Sequence, residues 1–280
     1  MTYRTFLKLG RVSNLPTVWT NAIAGAVLAG QPTLSVILSV GIALTLFYVG
    51  GMWLNDAFDA EIDAQERANR PIPMGEIGAG SVFAGGFAML GAGVVLAFSL
   101  GSTVGLAGLC LAAAVVLYDW LHKRTALSPV IMGTTRFFCY VVAALAVGQI
   151  TGSVVLGALG LMAYTAGLTY AAKQEAYDRL DRAWPLAVLA LPLIYALTQT
   201  SANMSALLIW TGLLAVVLVA LRRLFRRAKG DVPKAVVTMI AGMSLYDATL
   251  IAGSGHTQLA LLAVAGFALT LYLQRIVSGT

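Results

Sequence analysis

The chain has 280 residues, 59% of them hydrophobic and only 11% charged, and its 18 Lys and Arg against 12 Asp and Glu give a net charge of +6. Ordinary soluble domains carry about 25% charged residues, and a mean hydropathy of +0.84 leaves more apolar surface than one aqueous globule can cover. A soluble domain is excluded, and the composition is that of an all-α, polytopic transmembrane helical bundle, a single domain over residues 1–280.

A hydrocarbon core about 30 Å thick takes roughly 20 apolar residues of helix. Such windows predict spans near 15–30, 34–55, 80–99, 102–121, 128–148, 152–172, 183–199, 203–222, 234–252 and 257–276. Three are short or broken by Gly and Pro, so the expectation is nine or ten spans. The connections at 31–33, 100–101, 149–151, 200–202 and 253–256 are short and uncharged. Seventeen of the eighteen Lys and Arg residues fall on the opposite side, and only Arg136 lies inside a span. The positive-inside rule makes that side cytoplasmic, with both termini on it. The net positive charge is then topology and needs no nucleic-acid partner. Residues 4–30 have the flanks of a secretory signal, but nine further spans favour a retained first helix. Cys110 and Cys139 lie within spans without metal-type spacing and read as inert core residues.

Span 2 ends in Asn55-Asp56-x-x-Asp59-x-x-x-Asp63. If the helix continues past the membrane edge, a turn of about 100° per residue puts all four side chains on one face. Like charges at i, i+4 destabilise a helix, and no lysine is interspersed between Asn55 and Arg67. Oxygen ligands at this spacing suit Mg²⁺, which takes one or two carboxylates and fills its shell with water and phosphate oxygens. Asn55, Asp56, Asp59 and Asp63 are the candidate ligands. The chain then reads Arg67-x-x-Arg70-Pro71-Ile72-Pro73. The prolines stop the helix and stiffen the loop, holding Arg67 and Arg70 near the acids as candidate diphosphate ligands.

Asn-Asp-x-x-Asp-x-x-x-Asp at the end of span 2, followed by Arg-Pro-Ile-Pro-x-Gly-x-Ile over residues 70–77, resembles the UbiA superfamily of intramembrane prenyltransferases. The resemblance implies transfer of an isoprenoid chain from an allylic prenyl diphosphate to an aromatic or other lipophilic acceptor, with Mg²⁺ as cofactor. It also implies a second acidic motif after span 6, usually Asp-x-x-x-Asp. Here that place reads Lys173-Gln174-Glu175-Ala176-Tyr177-Asp178-Arg179-Leu180-Asp181, which departs from the pattern at Gln174. Helical spacing still gathers Glu175, Asp178 and Asp181 within about a 120° arc, so they join the candidate metal ligands. Tyr118, Lys123 and Arg124 resemble the family's diphosphate-contacting loop after span 4. An arginine near span 1 binds the acceptor carboxylate in benzoate-using members; Arg11, Asn14 and Asn21 are the matching positions. A tenth span would mark a divergent, EboC-like branch.

Acidic segments follow spans 2 and 6 and basic segments follow spans 4 and 8, so a parallel duplication of four-helix units is expected. Arg222 to Lys229 read as a lipid-headgroup anchor, and His122 and His256 as interfacial. Arg136 lies about 12 Å deep at 1.5 Å per residue, where a guanidinium needs a wet cavity or a partner. It is a substrate-binding candidate; Asp247 in span 9 is the other intramembrane charge, or else lies close enough to the outer interface to be solvated. Ionising the allylic C–O bond leaves negative charge on diphosphate, to be met by Asp59, Asp63, Asp178 and Lys123 with Mg²⁺. The allyl cation wants dry aromatic surroundings, for which Phe47, Tyr48, Trp53, Tyr118 and Phe137 are placed. The predicted localisation is the bacterial inner membrane, with the site facing the cytoplasm and the oligomeric state open. A multi-span transporter would place its acids mid-bilayer; a noncatalytic family member is the other alternative. The Asp-Gly-x-x-Ala-Arg signature of CDP-alcohol phosphotransferases is absent.

Overall fold

The computed structural model describes residues 2–173, 183–201, 203–277 and 279. The helices in chain order are α1 (Tyr3–Leu9), α2 (Leu15–Ala29), α3 (Leu34–Phe58), α4 (Ala60–Glu66), α5 (Ala79–Leu100), α6 (Ser102–Leu121), α7 (Ser128–Val147), α8 (Gly152–Lys173), α9 (Ala190–Thr198), α10 (Met204–Arg226), α11 (Asp231–Gly253) and α12 (Thr257–Leu273). Among the described residues there is no strand. Seven helices, α3, α5, α6, α7, α8, α10 and α11, are long and apolar enough to cross a bilayer. The shorter apolar helices α2, α9 and α12 occupy the other expected spans, and the chain is an integral, multi-pass membrane protein.

Local sequence explains where the boundaries depart from expectation. Pro192 lacks an N–H and its ring would clash with the carbonyl of Val188, so no unbroken α-helix runs through 183–199: Trp184–Leu189 forms a 3-10 turn, and α9 follows with Pro192 in its first turn. At the other extreme, α10 runs on to Arg226, since Arg222, Arg223 and Arg226 can continue a helix beyond the hydrocarbon with their heads in water. The short helix α1 was not foreseen. Its Thr2 cap accepts a hydrogen bond from the Thr5 amide, and its Leu9 buries against Val49, Trp53 and Val82.

Two large apolar clusters share the inner helices. One joins α2, α3, α5, α6 and α7; the other joins α2, α7, α8, α9, α10, α11 and α12, with Ile37 of α3 at its edge. Both α2 and α7 therefore sit between the two, and α11 is the most enclosed of the seven long helices. The expected repeat is only partial: α3 packs on α5 and α6, whereas α8 packs on α9 and α11.

Lipid supplies no hydrophobic drive between helices, so close approach through small residues holds them. A methyl added at Gly25 would lie 2.8 Å from the Tyr140 backbone, and one at Gly133 would lie 2.5 Å from the Met162 carbonyl oxygen. Gly91, by contrast, has nothing within 4 Å. Gly25→Ala and Gly133→Ala should each destabilise the detergent-solubilised protein by about 1–3 kcal/mol. Gly91→Ala should leave Tm unchanged or slightly raised. Equal Tm values for all three variants would refute backbone contact at these helix crossings.

Candidate active site

The cytoplasm-proximal expectation for α3 and α4 meets a helix interrupted for one residue. Asp59 caps both helices, but i to i−4 bonding persists, with Asp59 N donating to Asn55 O at 3.1 Å and Asp63 N to Asp59 O at 2.8 Å. Asn55, Asp56, Asp59 and Asp63 consequently stay on one inward face and all four are buried.

Three other segments bring cations to them. Arg11, between α1 and α2, donates to Asp56 at 2.9 Å and to Asn55 Oδ1 at 3.1 Å. Its backbone is left-handed (φ 40°), which costs a non-glycine residue about 1–2 kcal/mol; those bonds, and the Tyr48 hydroxyl donating to its carbonyl, offset that strain. Arg70 comes from the proline loop and contacts Asp56 at 2.5 Å and Asp63 at 3.2 Å. That loop is fixed from below, because Ile72 and Ile77 pack with Leu9, Val49 and Trp53, and Thr5 donates to Glu76 at 2.6 Å. The end of α6 brings His122 and Lys123 to Asp59, at 3.1 and 3.3 Å.

Asp119 was missed in the sequence. It is buried, and its Oδ1 accepts from Asn55 Nδ2 at 3.1 Å. The available signal was its position four residues before Lys123, on the same helix face, in a span with no other charge. His122, expected at the interface, instead bonds Asp59 and stacks on Tyr118 with ring centroids 5.1 Å apart. Burial pushes the Asp59 carboxyl up, but the hydrogen bond and charge of His122, with Lys123, hold it below the usual carboxylate range. Burial dominates at Asp63 and raises it despite Arg70. Burial, together with repulsion from Arg11, lowers the Arg70 guanidinium.

Beneath this charged mouth lies a cavity of about 930 Å³. Its wall includes Asn55, Asp59, Arg67, Arg70, Tyr118, Asp119 and Lys123 near the mouth; Val18, Leu44, Phe47, Leu111, Leu168 and Met243 line the apolar part. Arg11, Asn14, Tyr48 and Arg136 also line it. Asn21 does not reach the cavity; it accepts from Arg136 at 2.8 Å and donates to Asp247 at 2.7 Å. Asp247 is fully buried, so a solvated outer position is ruled out. Trp53 packs edge-on against Phe6, and Phe137 lies between the two apolar clusters, both away from the cavity. Arg124 is exposed over the Trp120 ring at 5.8 Å, beside a shallow pocket of about 50 Å³ shared with Asp59 and Lys123. Glu175, Asp178 and Asp181 lie outside the described residues.

A row of metal ligands on α3 and α4 was expected, yet among the described residues no three His, Cys, Asp or Glu side chains stand close enough to hold a metal ion. The physical reason is that Asp56 and Asp59 are turned onto arginine, histidine and lysine partners. Open donors nevertheless remain, for both oxygens of Asp63 and Oδ2 of Asp119 are buried without a hydrogen-bond partner. The unbonded Oδ2 of Asp119 on the cavity wall, and Asp63, engaged only by the Arg70 ion pair at 3.2 Å, fit Mg²⁺, which needs only one or two carboxylates from the protein.

Fold and site together define a polytopic helical protein built around an intramembrane chamber with a charged mouth. The chain belongs to the UbiA prenyltransferase family, whose profile matches residues 15–240. It is 32% identical over 124 residues to digeranylgeranylglyceryl phosphate synthase of Ignicoccus hospitalis, covering 44% of this chain and 41% of that protein. The matched stretch thus spans less than half of that relative. Its fold is similar to the apo structure of a UbiA homolog from Aeropyrum pernix K1 (TM-score 0.69, 16% identity, 86% of this chain and 97% of the other). It is also similar to a UbiA homolog from Archaeoglobus fulgidus bound to GPP and Mg²⁺ (TM-score 0.55, 14% identity, 95% and 99%).

A carboxyl raised by burial in the folded state binds its proton more tightly there than in the unfolded chain, so at neutral pH its ionised form opposes folding. Removing the Asp63 charge should therefore raise the Tm of the Mg²⁺-free protein by a few degrees at pH 7.5. The gain should shrink as the pH falls through the folded pKa and wild-type Asp63 itself becomes neutral. A lower Tm for Asp63→Asn at pH 7.5 would show that the Arg70 ion pair outweighs burial.

Proposed function

We propose that this protein transfers a prenyl group from an allylic prenyl diphosphate to a lipophilic acceptor, in a Mg²⁺-dependent reaction inside the membrane. What carries the reading is the juxtaposition of a buried acid and base cluster with an apolar chamber of about 930 Å³ directly beneath it. Relatives named digeranylgeranylglyceryl phosphate synthase and solved homologs bound to GPP or DMAPP with Mg²⁺ support an allylic diphosphate as donor. We place the chain as one domain in the bacterial inner membrane with the charged mouth toward the cytoplasm, in keeping with its Lys and Arg distribution.

In this reading Mg²⁺ draws its few protein ligands from among Asn55, Asp59, Asp63 and Asp119, with Glu175, Asp178 and Asp181 of the second acidic segment as further candidates, while Asp56 stays on Arg11 and Arg70. The ion, when bound, supplies Lewis-acid stabilisation of charge on the departing diphosphate. Arg67, Arg70 and Lys123 bind the diphosphate oxygens at the mouth, and Arg124 assists from the rim. The allylic C–O bond breaks with its electron pair leaving on diphosphate; the acceptor's nucleophile forms the new bond to the allylic carbon and gives up its proton. Phe47, Tyr48 and Tyr118 face the allyl cation without attacking it, while the apolar wall keeps water from capturing it. His122 orients Asp59 through their hydrogen bond.

Purified protein given Mg²⁺, labelled farnesyl or geranylgeranyl diphosphate and an acceptor should release diphosphate, and EDTA should stop it. Asp59→Ala should abolish release with the fold intact. Lys123→Ala should lower kcat by about 100-fold, the scale of losing one donor to a developing oxyanion, and Arg124→Ala should cost far less. Absence of Mg²⁺-dependent binding of the labelled diphosphate by the wild type would overturn the proposal.

A further inference from the structure

Below the charged mouth a second polar system reaches the cavity. Arg136 on α7 is 9% exposed and lines the chamber, about 12 Å along the helix from its start at 1.5 Å per residue. Its hydrogen-bond acceptors are neutral: Asn21 Oδ1 at 2.8 Å and Thr17 Oγ1 at 3.3 Å. Its guanidinium also lies over the Tyr48 ring, 5.9 Å from the centroid. The ion pairs among the described residues do not include it.

The nearest carboxylate in this network is spoken for. Asp247 accepts from Thr20 at 2.5 Å, Asn21 at 2.7 Å and Tyr140 at 2.5 Å. Because Asn21 gives its amide hydrogens to Asp247, its carbonyl must face Arg136; the flipped amide would set oxygen against carboxylate and N–H against guanidinium. Asp247 thus fixes the guanidinium through Asn21 without neutralising it by contact. A guanidinium has five N–H donors, of which two positions are engaged, and a cation at this depth demands an anion or a wet cavity.

We infer that Arg136 recognises an oxyanion, a carboxylate or phosphate, carried by the acceptor substrate, with Asp247 as a positioning residue acting through Asn21. The inference rests on the prenyl-transfer reading and deepens it: the donor's diphosphate is held at the mouth, and the acceptor's anion is held deeper, on Arg136. The bidentate fork of arginine matches either oxyanion, and an uncharged acceptor would leave the buried guanidinium without an anion. Selection should therefore follow charge more than shape.

The test measures binding of two anionic probes in the presence of geranyl diphosphate and Mg²⁺, each against an uncharged counterpart: 4-hydroxybenzoate against its methyl ester, and an isoprenoid ether of glycerol phosphate against the same ether of glycerol. Geranyl diphosphate affinity is measured separately. Wild type should bind one anion at least tenfold tighter than its neutral partner, and which one identifies the acceptor as carboxylate or phosphate. Arg136→Gln should erase that preference while geranyl diphosphate affinity stays within twofold, Arg136→Lys should keep part of it, and Asp247→Asn should reduce it three- to tenfold. Failure of geranyl diphosphate to bind would sink the prenyl-transfer reading itself. With that binding intact, a wild type that prefers neither anion, or an Arg136→Gln or Arg136→Lys variant that weakens geranyl diphosphate instead, overturns the assignment. The wild-type comparison decides the matter even if Arg136→Gln fails to fold.

Discussion

Four buried carboxylates at one end of an apolar bundle are the constraint around which the structure is arranged. In a low-dielectric setting each charge removed from water costs several kcal/mol unless it is paired. Asp56, Asp59, Asp63 and Asp119 come from α3, α4 and α6, and their partners Arg11, Arg70, His122 and Lys123 come from the α1–α2 link, the proline loop and the end of α6. The α1–α2 link, the end of α3, α4, the proline loop and the end of α6 are thereby tied to the same point. The pairing is incomplete, for Asp63 meets only Arg70, without a hydrogen bond, and Asp119 Oδ2 has no hydrogen-bond partner. Such incompletely satisfied groups are what a site prepared for a cation and a polyanion would leave open.

The two polar layers differ in how their charges are balanced. At the mouth, acids and bases touch directly, so arrival of a metal and diphosphate would exchange one set of ion pairs for another. Deeper in the chamber the acid and the base are separated by one amide, Asn21. That spacing keeps the guanidinium electrostatically stable in the membrane and still available on its cavity side. The aromatic and aliphatic wall connects the layers, with Tyr48 touching both: its hydroxyl bonds the Arg11 carbonyl and its ring lies under Arg136.

The many helical spans and the position of the acidic segment were legible because they rest on composition and on local spacing. Asn55, Asp59 and Asp63 share a face in any helix that continues through them, and the structure keeps them together despite the break at Asp59. Other residues could not be assigned this way. Asp119 was passed over, since nothing near it in the chain reveals that Asn55, sixty-four positions away, bonds it. Trp53 and Phe137 looked as suitable for the cavity as Phe47 and Tyr48, and only the rotation of α3 and α7 about their axes separates them.

Sequence alone determined that this chain crosses a membrane many times and that carboxylates cluster where span 2 ends. Those properties follow from hydropathy and helical period, which are local. Tertiary structure decided which cation meets which acid, that Asn21 turns away from the chamber while Arg136 opens onto it, and that Asp247 is enclosed. Such pairings depend on how helices distant in the chain are rotated and pressed together, with contacts such as Gly25 on Tyr140 and Gly133 on Met162 setting the approach. Periodicity fixes the face a residue occupies on its own helix, and packing alone chooses what that face meets.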